Sequence, residues 1–181
     1  MSSRSGLIQQ LHNYTSSFRE EEVFILSFLK LLQAERCYYR DHLPGHITGS
    51  TWILNPSRSK VLMVHHAKLN KWLQPGGHAD GDENIVQVAL REAREETGLN
   101  TFTVIQNGIF DIDIHRIPQR QSMPEHDHYD VRFLLEANDD EPLIRSEESH
   151  EVAWIGIDDL HQIIAGNASI VRMINKTWGL P

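Results

Sequence analysis

Residues 76–99 read Gly-Gly-His-Ala-Asp-Gly-Asp-Glu-Asn-Ile-Val-Gln-Val-Ala-Leu-Arg-Glu-Ala-Arg-Glu-Glu-Thr-Gly-Leu. The stretch opens as a glycine-rich turn and continues as a helix with acid at its far end. At 100° per residue, Glu92 and Glu96 share a helix face and Glu95 lies beside them. Arg91 and Glu95 are also four apart, so a guanidinium can hold one carboxylate. Acids this close repel one another, and a divalent cation relieves that repulsion most simply. Carboxylate oxygens suit hard Mg²⁺ or Mn²⁺. A second reading is open: a solvated helix face laced with charge pairs.

Around this stretch the 181 residues suit one domain with an appendage. At 40% apolar and 23% charged, the chain reads as an ordinary soluble globular protein. A net charge of −8 argues against a general nucleic-acid binder. It does not argue against a small phosphorylated substrate, because a bound metal reverses the local field. Cys37 is the one cysteine, so no internal disulfide or paired-cysteine zinc site is expected, and a reducing, cytoplasmic setting fits. The first residues lack a signal core, and no run approaches a membrane span.

Taken in order, residues 1–16 allow a short helix. Ser17 and Glu20 form an apparent capping box. Behind it, Val23 to Leu32 is apolar around most of a helix circumference, so the spacing predicts burial on more than one side. That helix packs on its own domain or meets a second copy of the chain. Residues 38–49 carry turn chemistry. Ser50 to Leu54 and Lys60 to His66 read as a hairpin. The acidic helix runs from Glu83 or Asn84 to Thr97, with Gly98 where a left-handed terminator belongs. Thr101 to Gln106, Ile109 to Ile114, Tyr129 to Glu136 and Glu151 to Ile155 read as strands. Residues 115–128 read as a loop rich in Pro and His. A helix capped by Asp158 runs to about Ile164, and a last one covers Ser169 to Trp178.

The stretch also resembles the Nudix box, G-x5-E-x7-R-E-U-x-E-E-x-G-U, where U is bulky and apolar. Gly77, Glu83, Arg91, Glu92, Glu95, Glu96, Gly98 and Leu99 fall in frame. Only Ala93 is small for its position. The likeness extends over about residues 46 to 165 and includes Glu151-Val152-Ala153-Trp154-Ile155 followed by Asp158-Asp159-Leu160. It implies an α/β fold, an α/β/α sandwich with a mixed sheet. An N-terminal helical extension (1–40) would pack on a hydrolase domain (41–181). It implies metal-dependent cleavage of a diphosphate within a nucleoside diphosphate linked to a further group, with Mg²⁺ or Mn²⁺ as cofactor. Glu92 and Glu96 would be metal ligands, and Glu95 a ligand or the partner of Arg91. The Gly77 carbonyl would join the metal shell, while Gly76, Glu83 and Gly98 support the box. The base varies in the family, and Glu125, Glu147, Glu148 and Glu151 are the candidates. A nucleotide-binding or regulatory module with weak catalysis is the alternative. Such modules usually lose box glutamates, which are all present here. Isomerase chemistry on this fold needs a cysteine near the site, and Cys37 lies in the extension.

Eleven histidines stand out. His126-x-His128 would place two imidazoles on one strand face, for a transition metal or for phosphate and proton transfer. With His78 and Trp72, they are the candidate substrate contacts. Trp72 stacks on a base in this reading, or fills a core or hinge.

Overall fold

The computed structural model describes residues 3–119, 123–164 and 166–179. Among the described residues thirteen elements follow one another. They are α1 (Arg4–Asn13), α2 (Arg19–Leu31), β1 (Gly45–Leu54), β2 (Lys60–His66), β3 (Lys71–Leu73), β4 (Gly76–His78) and α3 (Ile85–Thr97). Then come β5 (Thr103–Val104), β6 (Asp111–Ile117), β7 (His126–Glu136), β8 (Ser149–Gly156), α4 (Ile157–Ile163) and α5 (Ala168–Trp178). The predicted α/β class and the N-terminal helices are both present. None of the described helices is long and apolar enough to cross a membrane.

The chain forms two compact units. The first takes Met1–Ser50, Gly77–Ala89 and Gly108–Phe133, and the second takes Thr51–Gly76, Leu90–Asn107 and Leu134–Pro181. Each has its own core.

In the first unit, Leu7, Leu11, Phe28, Leu32, Ile47, Val88, Ala89, Ile112 and Val131 are buried together. Helix α2 carries Glu20, Glu21 and Glu22 in its first turn and Lys30 in its last, which suits the helix dipole. Its N-cap is Phe18, without a side-chain cap. The expected Ser17 cap does not form. Ser16 Oγ instead accepts the Phe18 N–H at 3.0 Å and donates to Glu21. Glu21 is fully buried and also accepts from Tyr14 Oη at 2.7 Å and from the Ile112 N–H at 3.1 Å. One carboxylate thus fastens α2 to the α1–α2 link and to β6. Phe28 meets the Tyr129 ring edge-on at 5.2 Å. One face of the helix packs on its own unit, and on the other Val23 and Leu26 are 61% and 70% exposed in the single chain.

Strands β6 and β7 pair antiparallel from Asp111↔Arg132 to Ile117↔His126, with His115 opposite His128. The expected loop at 115–128 is therefore shorter: only 118–125 connects the strands, and 120–122 lie outside the described residues. Strand β1 likewise starts at Gly45, inside the stretch read as a turn.

In the second unit, β2 lies between β3 and β8. Its register with β8 runs from Lys60↔Gly156 to His66↔Ser149, with an irregularity between His65 and His66. Ile53, Leu62, Ala93, Leu99, Leu135 and Ala137 form its buried cluster. Ala93, the small residue at a bulky motif position, is fully buried there. A short side chain lets helix and strand residues approach closely. Gly156, not Asp158, caps α4. Asn167 caps α5 by accepting from the Ser169 and Ile170 N–H groups.

Candidate functional site

The C-terminal turns of α3 carry the acid cluster. Glu96 Oε2 accepts the Gly76 N–H at 2.9 Å, so this carboxylate holds the backbone at the start of the glycine stretch. Burial pushes the Glu96 carboxyl up to about 7. The charges of Glu92, Glu148 and Glu95 add to that, against the opposing Gly76 hydrogen bond. Burial thus disfavours the charged form first, and the three nearby acids add to it. The donors are oxygens and anionic, so these residues fit a hard divalent metal. Arg91 Nη2 bonds Glu92 Oε1 at 2.9 Å. Glu95 is exposed. Gly98 takes the left-handed backbone expected of a helix terminator, with φ of 77°. A Cβ there would lie 2.6 Å from that of Ile144.

Among the four candidate bases, Glu148 is the one whose charge acts on Glu96. It also ion-pairs with Lys68 at 3.5 Å, both side chains exposed. Glu125 pairs with Arg116. Glu83 is held by Arg4 of α1, accepting its backbone N–H at 3.0 Å and its Nε at 3.1 Å. Trp72 stacks on His65, ring centroids 5.0 Å apart and planes 14° from parallel. Gly77 is a half-buried residue of β4.

The first unit holds a second polar assembly. Successive alternate residues of β7 (His126, His128, Asp130 and Arg132) share one face. Arg132 is almost fully buried and bonds Asp130 at 2.8 Å, Asp111 at 3.0 Å and Asp113 at 3.3 Å. Thr48 and Ser50 of β1 donate to Asp130 at 3.0 and 2.7 Å. Asp113 reaches on to His115 at 3.2 Å. The stripe ends in a group of imidazoles. The His46 ring lies 5.2, 5.0 and 4.9 Å from those of His78, His126 and His128. The rings of His78 and His115 lie 5.0 and 5.4 Å from that of His128. Burial lowers the His46 pKa to about 4, with His78 and His126 adding to the shift. Burial also lowers that of His128, helped by the neighbouring imidazoles. His78, His126 and His128 are thus brought together, the last two on one face of a strand. His46 was not anticipated. The His46-x-Thr48-x-Ser50 alternation was the available signal, hidden in a stretch read as a turn.

The NUDIX domain model matches residues 46–175. The chain belongs to the Nudix family. It is a Nudix hydrolase, an enzyme of pyrophosphate-bond hydrolysis, and the family generally works with a divalent metal. It is 26% identical over 137 residues to a probable DHNTP pyrophosphohydrolase of Lactococcus lactis, covering 75% of this chain and 80% of that one. It is 31% identical over 101 residues to the asymmetrical bis(5'-nucleosyl)-tetraphosphatase of Rattus norvegicus, covering 55% of this chain and 62% of that one. The crystal structure of a C. elegans Ap4A hydrolase binary complex superposes with a TM-score of 0.61 at 18% identity, over 72% of this chain and 93% of that chain. At that identity, the likeness concerns the fold.

Proposed function

We propose that this Nudix hydrolase cleaves a nucleotide-derived substrate in which a phosphate chain is joined to a ring system, with Mg²⁺ or Mn²⁺ held by Glu92, Glu95 and Glu96. The observation that carries the reading is the placement of Glu96: half-buried, its Oε2 on the Gly76 N–H at 2.9 Å, with the charges of three more carboxylates acting on it. When bound, the metal would neutralise phosphate oxygens and acidify a water. The protein's own residues supply the rest. Glu96 fixes the Gly76 backbone while it binds, and the guanidinium of Arg91 orients Glu92. Glu148 is the acid we assign to take the proton from the attacking water. Trp72, backed by His65, would stack on the ring system of the substrate. The names of the relatives support a substrate of this class.

The test is a substrate screen with Mg²⁺ or Mn²⁺ over nucleoside triphosphates, pterin triphosphates, dinucleoside polyphosphates, ADP-ribose, nucleotide sugars, NADH and CoA. Glu96→Gln and Glu148→Gln run beside the parent. Loss of a general base costs about 10²–10⁴ in rate, so Glu148→Gln should lose kcat on that scale while keeping its metal affinity. Parent-like turnover by Glu96→Gln would remove the metal assignment. For self-association, the exposed Val23 and Leu26 of α2 are the surface we propose. Leu26→Lys should shift sedimentation toward the monomer, and an unchanged profile sets that contact aside.

A further inference from the structure

We propose that His46, His78 and His128 form a second metal site, one that takes a transition cation of the Zn²⁺ class rather than Mg²⁺. One ring nitrogen from each lies within 4.8 Å of the other two. The ligands come from three different strands, β1, β4 and β7. A tetrahedral zinc with bonds of about 2.0–2.1 Å needs its nitrogens about 3.4 Å apart. Closing the present spacing therefore asks for small ring rotations and no change of strand register.

A second, independent observation points to a ligand. Among the described residues, Nε2 of His128 is buried without a hydrogen-bond partner, and the His46 ring is buried with only the His42 backbone bearing on it. His46 is only 1% exposed. Buried polar atoms in folded proteins are normally satisfied by protein, water or an ion. A neutral ring offers an in-plane lone pair, the donor that borderline transition metals select and that Mg²⁺ does not. The surroundings resemble an outer shell for such a site. His115, which packs edge-on to His128, is hydrogen-bonded to Asp113. His126, stacked on His46, donates Nδ1–H to the Pro124 carbonyl at 2.8 Å. These bonds hold the rings that pack on two of the three donor histidines. The donor set shares no residue with the carboxylates of α3, so this inference does not rest on the hydrolase reading.

The experiment uses the full chain, stripped with chelator, in millimolar Mg²⁺ to occupy the carboxylates. Co²⁺ is titrated as a visible probe and Zn²⁺ is used to displace it. One equivalent of Co²⁺ should give ligand-field bands, and Zn²⁺ should bleach them. His46→Gln and His128→Gln should each weaken binding by more than about 100-fold, beyond what outer-shell changes cost. Glu92→Gln/Glu96→Gln should leave the bands intact. X-ray absorption on the Zn²⁺-loaded parent reads the ligands without any variant, so misfolding of a histidine variant does not blur the answer. Three imidazole scatterers support the site. An all-oxygen shell overturns it, as does a band pattern lost in the glutamate variant but kept in the histidine variants.

Discussion

Glu96 sets the acid chemistry of the molecule at the scale of one residue. Its carboxyl is pushed from the ordinary 4.5 up to about 7. The folded state therefore holds this proton more tightly than the unfolded state. The stability it contributes is present below the ordinary value and is lost as pH rises through 7. Glutamine cannot ionise, yet its carbonyl can still accept the Gly76 N–H. In chelator at about pH 8, Glu96→Gln should be more stable than the parent, by up to about 3 kcal/mol. The gap should close as pH falls toward 4.5. Urea unfolding of both proteins across this range measures it, and a gap independent of pH contradicts the assignment. Arg132 has the opposite character. It is a single guanidinium bonded to three buried aspartates. Arg132→Met leaves those acids without it and should cost about 3–5 kcal/mol. Arg132→Lys should recover only part of that, because an ammonium lacks the planar fork.

Helix α3 shows at the scale of the element what the sequence can and cannot reveal. Its length, its acid face and its terminator were legible because each depends on neighbours within about four residues. The meaning of Ala93 was not legible, since nothing local says how near a strand residue comes. The answer lies in its burial with Ile53, Leu62 and Leu135. Ala93→Leu, although closer to the family pattern, should overpack this cluster and destabilise by about 1–3 kcal/mol. Urea midpoints test this, and a stabilised variant would mean that the cluster has room. Strands β6 and β7 were misjudged for a different reason. Their outer ends are paired through polar residues, His115 with His128 and Arg116 with Asp127. A reading based on apolar alternation ends where the apolar residues end. The same blindness hid His46, because a strand that begins His-x-Thr-x-Ser looks like surface until its neighbours are known. Helix α2 is apolar around most of its circumference, and in the single chain its buried face carries Glu21 while Leu26 stays exposed.

For the whole molecule, the net charge of −8 sets the terms. An acidic protein that receives an anionic phosphate chain needs cations, and the chain offers two donor sets of different chemistry. The carboxylates of α3 suit Mg²⁺, and the imidazoles of β1, β4 and β7 suit Zn²⁺. An ion that binds only the folded state stabilises it by mass action, about 2.7 kcal/mol at a hundred times its dissociation constant. For a chain of this size that corresponds to a rise in Tm of roughly 5–10 °C. Stripped protein should therefore gain one increment with Mg²⁺ and a further one when Zn²⁺ is added to the Mg²⁺-saturated sample. Glu92→Gln/Glu96→Gln should lose the first increment and keep the second, while His46→Gln/His128→Gln should do the reverse. Differential scanning calorimetry resolves the four combinations. If both increments vanish in the glutamate variant, the two ions compete for one set of carboxylates and the imidazoles bind nothing. If the increments separate as expected, the hydrolytic metal can be exchanged or removed while the histidine site stays loaded, and the role of each ion in turnover can be measured alone.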